Sequence, residues 1–124
     1  MDNKLNKKSL LIVDDSSIIR KAISMYLKDF DLEVVGTANN GTTALKQFNK
    51  LKPRYVTLDI SMPGIDGFQV LKDMVKNDKS AKIIVITALA DKATGIKALK
   101  LGAVNYLIKP FSPEKLKNLF KRIV

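Results

Sequence analysis

Five short runs rich in β-branched and aliphatic residues recur along the chain: "LLIV" from Leu10, "EVVGT" from Glu33, "YVTL" from Tyr55, "KIIVIT" from Lys82 and "VNYLI" from Val104. Between them lie longer stretches with helical periodicity. Parallel strands cannot be joined by tight turns and need a crossover element, so this alternation predicts right-handed βαβ units. The result is a mostly parallel sheet with helices on both faces. "KIIVIT" is almost continuously apolar, as a central strand covered on both faces must be.

The intervening stretches carry their apolar residues on one side. Ile19, Ile23 and Tyr26 share a face, while Arg20, Lys21, Ser24 and Lys28 turn elsewhere. Ala44, Leu45, Phe48 and Leu51 repeat the pattern, as do Val70, Leu71, Met74 and Val75, and then Leu116, Leu119, Phe120 and Ile123. Ser112 is placed to cap the last helix and Pro113 to open it at N1.

A chain of 124 residues can bury one real core and not two. Residues 1–8 are expected to be a short N-terminal tail and residues 9–124 the domain, with no linker, low-complexity tract or internal repeat. The chain stops at Val124, just after the fifth helix, so either it stands alone, the expectation here, or it was cut from something longer.

Composition narrows the chemistry. There is no Cys and no His, which removes thiolate nucleophiles, disulfides, zinc-thiolate sites and the commonest general base. Any metal should therefore be hard and oxygen-bound. The longest early apolar run, Leu10 to Val13, is far too short for a signal peptide or a membrane span. A cytoplasmic protein without membrane insertion is expected.

Acidic residues stand at two strand exits. Asp14 and Asp15 follow "SLLIV", and Asp59 follows "YVTL". In a parallel sheet both exits lie on the carboxyl edge, where open α/β sheets bind ligands. Three carboxylates brought together there repel one another unless a cation joins them. With oxygen ligands alone, Mg²⁺ fits best, and it commonly keeps waters and a phosphate oxygen. Two further exits supply what a phosphoryl group needs: the hydroxyl of Thr87 after "IIVI" and the ammonium of Lys109 after "NYLI". Singly these features are a helix cap, a structural Thr and a turn; together they make a site.

In this order and spacing, "VDDS", "TLDISMPGIDG", "VITA" and "NYLIKPF" resemble a response-regulator receiver domain of the CheY-like kind, across essentially the whole chain. The resemblance implies a flavodoxin-like (βα)5 doubly wound parallel sheet with strand order 2-1-3-4-5. It implies that Asp59 is the phosphoacceptor, supplied by a sensor histidine kinase or a phosphotransfer protein. Asp15 and Asp59 would bind Mg²⁺ directly and Asp14 through water, with the backbone carbonyl of Ser61 completing the set; at position 61 only the carbonyl would matter. Lys109 and Thr87 would assist the transfer, Thr87 and Tyr106 would form the switch, and the Lys109-Pro110 peptide would be cis. Such a protein is no enzyme in the usual sense but catalyses its own phosphorylation and dephosphorylation. Without the resemblance, Tyr106 reads as core. Gly64 and Gly67 let the loop after Asp59 turn tightly, and Pro63 stiffens it.

Ser61 and Leu89, two residues beyond Asp59 and Thr87, leave the lifetime of the phosphoryl group open. From Asp91 to Val124 eight Lys and Arg stand against two acids, so +6 of the net +10 lies in the last 34 residues. The surface of helix 4, strand 5 and helix 5 is then expected to meet an acidic output partner and to disfavour self-pairing, leaving a monomer; a merely solvated face would give the same count. Dimerising relatives often carry acids where this chain has Val104 and Asn105.

Alternative readings are a degenerate receiver that signals by binding alone and a basic nucleic-acid-binding module. The second lacks a helix-turn-helix, a zinc finger or an RNA-binding aromatic motif. A phosphatase of the haloacid dehalogenase type would need an Asp where Ser61 stands. No G-x-G-x-x-G follows the first strand, which excludes a dinucleotide fold.

Overall fold

Among the described residues, five parallel strands, β1 (Lys8–Val13), β2 (Leu32–Ala38), β3 (Tyr55–Asp59), β4 (Lys82–Thr87) and β5 (Asn105–Ile108), form one sheet in the order β2-β1-β3-β4-β5. The structure is a computed structural model and describes residues 8–64 and 66–124. Most of the expected N-terminal tail therefore lies outside the described residues. Lys8, assigned to that tail, instead opens β1, because its backbone is in register with Leu32 of β2. Val104 falls just outside β5, although its N–H still donates to the Ile83 carbonyl at 2.9 Å.

The strands alternate with α1 (Ser17–Tyr26), α2 (Gly41–Leu51), α3 (Gly67–Asn77), α4 (Lys92–Lys100) and α5 (Pro113–Ile123). Each of four helices begins on a side chain that accepts from its first turn: Ser16, Asn40, Asp66 and Ser112. α4 starts at Asp91 without such a bond.

The pleat of the sheet sorts the core into two halves. Leu10 and Ile12 of β1 pack with Ile23 and Leu27 on one face, where Leu116, Leu119 and Phe120 of α5 join them. Leu11 and Val13 point the other way, against Phe48 of α2 and Leu71 and Met74 of α3, with Ala98 of α4 in the same cluster. β4 divides in the same manner, Ile84 and Ile86 to one side and Ile83 and Val85 to the other. A large apolar side chain buried this fully contributes roughly 1.5–3 kcal/mol, so these alternating residues fix which face of the sheet each side chain takes, while the parallel strand direction puts every strand exit on the same edge.

Candidate functional site

All the strand exits named from sequence open on one edge. The β1 exit is tied to β2 by Asp14 N–H donating to the Ala38 carbonyl at 3.0 Å. The β5 exit is tied to β4 by Lys109 N–H donating to the Thr87 carbonyl at 2.8 Å. These backbone bonds bring side chains from distant parts of the chain to one spot.

Asp14, Asp15 and Asp59 each offer a carboxylate oxygen, and these oxygens lie within 4.8 Å of one another. Asp14 and Asp59 are buried, and Asp15 is exposed. Lys109 Nζ sits between the buried pair, 2.8 Å from Asp14 Oδ2 and 3.0 Å from Asp59 Oδ2. The contact to Asp59 is a hydrogen bond, whereas Asp14 Oδ2 faces the ammonium as an ion pair without hydrogen-bond geometry. Asp14 Oδ1 accepts from Ser16 N–H at 2.9 Å.

The electrostatics follow from burial. Desolvation holds the Asp14 carboxyl above the usual carboxylate range, and the Lys109 ammonium only partly offsets it. Burial also pulls Lys109 down, but its contacts to Asp14 and Asp59 outweigh this and leave its pKa raised. One ammonium serves two buried acids, and with Asp15 the cluster has an excess of negative charge. Its donors are hard oxygens, its third acid reaches solvent, and a buried carboxylate oxygen lacks a hydrogen-bond donor, so the residues suit a hydrated Mg²⁺.

Thr87 is fully buried, and its hydroxyl accepts from Leu89 N–H at 3.0 Å. Tyr106 is half-buried on β5, in register with Val85, two residues before Thr87 on the neighbouring strand. The Lys109-Pro110 peptide is cis. An apolar cleft of about 410 Å³, lined by Ile19, Ala22, Tyr26 and Phe111 among others, opens beside Lys109.

Three features escaped the sequence reading. The Ser61 hydroxyl donates to Asp59 Oδ1 at 2.6 Å, so the side chain at position 61 engages the acid as well as the backbone. Arg20, expected to turn away with Lys21 and Lys28, reaches back from α1 to donate from Nη1 to the Asp14 carbonyl at 2.7 Å. Gly67 does not turn the chain with a positive φ as Gly64 does; it lets α3 start against the Ile60 backbone. Only the last carried a signal, a glycine directly after the Asp66 cap.

Residues 10–121 match the response regulator receiver domain family. The chemotaxis protein CheY of Listeria monocytogenes is 41% identical over 107 residues, covering 86% of this chain and 90% of that protein. The chemotaxis protein CheY of Thermotoga maritima is 37% identical over 116 residues, covering 94% and 97%. A chain in the crystal structure of the CheX-CheY-BeF3-Mg²⁺ complex from Borrelia burgdorferi superposes with a TM-score of 0.86 at 30% identity, over 94% of this chain and 89% of its own. The rival readings as a degenerate receiver, a nucleic-acid module or a phosphatase gain no support from these relatives.

Proposed function

Because the chain belongs to the response regulator receiver domain family of two-component signalling, we propose that Asp59 accepts a phosphoryl group from a histidine on a sensor kinase or phosphotransfer protein. The observation that carries this reading is the position of Asp59: 1% exposed, bonded to Lys109 and within reach of two more carboxylates. A buried acid so placed is costly as a structural element and useful as a positioned nucleophile.

In the transfer, a carboxylate oxygen of Asp59 bonds to phosphorus while the bond from phosphorus to the donor imidazole breaks. The imidazole nitrogen keeps the electron pair and takes up a proton. Bound Mg²⁺ would neutralise charge on the phosphoryl oxygens, held directly by Asp15 and Asp59, through water by Asp14, and by the Ser61 carbonyl. Lys109 moves its charge from the carboxylates to a phosphoryl oxygen. The aspartyl phosphate later ends when water attacks phosphorus and frees the Asp59 carboxylate.

The new group adds charge and acceptor oxygens at the strand edge. Thr87 exchanges its bond from Leu89 N–H for one to a phosphoryl oxygen, and Tyr106 turns into the space released. The α4, β5 and α5 surface then changes for an output partner. That surface exposes Ile96, Leu99 and Val104 among its lysines, which suits a partner with acidic and apolar groups and disfavours self-pairing. Sedimentation should show a monomer at moderate salt; a tight homodimer after phosphorylation would sink the charge argument. No helix among the described residues is long and apolar enough to cross a membrane, and a cytoplasmic setting is the one in which a kinase of this class would meet the protein.

The direct test is intact mass after incubation with acetyl phosphate or phosphoramidate and Mg²⁺. A gain of one phosphoryl group, absent without the metal and absent in Asp59→Asn, is expected. A folded protein that gains nothing would return the degenerate-receiver reading.

A further inference from the structure

The two carboxylate oxygens of Asp59 are held differently. Oδ2 faces the Lys109 ammonium at 3.0 Å, a side from which a second cation is repelled. Oδ1 is the oxygen left for a divalent ion, yet Ser61 already gives it two hydrogen bonds, from the N–H at 2.8 Å and from the hydroxyl at 2.6 Å. Each carboxylate oxygen offers about two lone-pair sites, so both are taken. The N–H is fixed by the loop, and only the hydroxyl can leave, by rotation about χ1.

The same hydroxyl oxygen accepts from Ala88 N–H at 3.3 Å. Ala88 follows Thr87 at the exit of β4. Ser61 thus bridges the acceptor acid to the β4 exit, from Ala88 N–H through its Oγ to Asp59 Oδ1.

We infer that the Ser61 hydroxyl is a latch on the acceptor: it occupies Asp59 Oδ1 in the metal-free protein, and a divalent cation must displace it, releasing the Ala88 N–H as it does so. The inference rests on the Mg²⁺ reading above and deepens it. A side chain that merely supported the loop would weaken metal binding when removed, whereas a competitor strengthens it. Hydrogen bonds to ionised oxygens are among the stronger ones, so removing this one should tighten Mg²⁺ binding on the order of five- to tenfold.

Calorimetric titration of Mg²⁺ into the wild type, Ser61→Ala and Ser61→Thr tests this, because both variants keep the backbone carbonyl and Thr keeps the hydroxyl. Tighter binding by Ser61→Ala with wild-type affinity in Ser61→Thr is expected. Equal or weaker binding by Ser61→Ala, or tightening in both variants, overturns the latch. Amide exchange at Ala88 in the wild type gives a second readout that needs no variant: exchange should quicken when Mg²⁺ is added, and an unchanged or slower rate also overturns it. A wild type that binds no Mg²⁺ would remove the metal reading itself, an outcome distinct from normal binding that ignores Ser61.

Discussion

The phenol ring of Tyr106 on β5 fills the space in which a β-carbon on Gly95 of α4 would lie. A glycine inside a helix costs about 1 kcal/mol relative to alanine, and here the aromatic contact explains its presence. In Gly95→Ala the ring must swing out, because its far end is the movable partner. The helix gains about 1 kcal/mol while the overpacking costs about 1–3 kcal/mol, so a net destabilisation of about 1 kcal/mol is expected. Urea unfolding and the solvent accessibility of the Tyr106 phenol check it; an unmoved ring in Gly95→Ala would refute the packing. In a double-mutant cycle with Tyr106→Ala, the two changes should couple by about 0.5 kcal/mol or more.

Gly67 meets a harder neighbour. A β-carbon there would run into the Ile60 backbone, which cannot rotate away, so Gly67→Ala should push the start of α3 off the loop carrying Asp59 and Ser61. A loss of about 1–3 kcal/mol is expected, together with slower phosphorylation. Gly64 has open space and a φ of 83°, so Gly64→Asn should be far milder. Equal melting temperatures for the two variants would contradict this ordering.

These two glycines also mark how far the sequence could be read. The strands, their edge and four helices were legible because burial imposes periods of two and about 3.6 on the apolar residues. α4 was expected only from the alternation of strands and helices and not from a stripe of its own, because its buried positions are Thr94, Gly95 and Ala98 while Ile96 and Leu99 face outward; small residues under an aromatic ring leave no hydrophobic stripe. The converging acids and Lys109 could be read because strand direction alone sends them to one edge. The Ser61 hydroxyl and Arg20 could not, since a rotamer and a long side chain's return to the backbone follow from no spacing rule.

Among the described residues, Lys109 alone pairs with both Asp14 and Asp59, with 19% of its side chain exposed. Removing one partner of a largely buried ion pair leaves its charges uncompensated, so Lys109→Met should destabilise the metal-free protein by about 3 kcal/mol. Adding Asp14→Asn to Lys109→Met should recover part of that loss, which chemical denaturation would show as a non-additive pair. Strict additivity would mean that Lys109 and Asp14 do not share one electrostatic site.

The pH dependence of the metal-free protein follows from the same cluster. Burial raises the Asp14 pKa above its ordinary 3.8, so the folded state binds this proton more tightly than the unfolded chain does. Upward from that ordinary value the folded protein carries the extra proton, and stability falls as pH rises through the window until Asp14 is ionised in both states. Lys109 works in the other direction: its raised pKa contributes stability fully below its ordinary 10.5, lost only as pH climbs through the folded value. In EDTA, Asp14→Asn should therefore melt higher than the wild type at neutral pH and lose the acid-side slope, while binding Mg²⁺ more weakly. Thermal melts of both proteins from mildly acidic to neutral pH decide the point. A variant that melts lower at neutral pH would show that the ion pair with Lys109 outweighs the desolvation of Asp14.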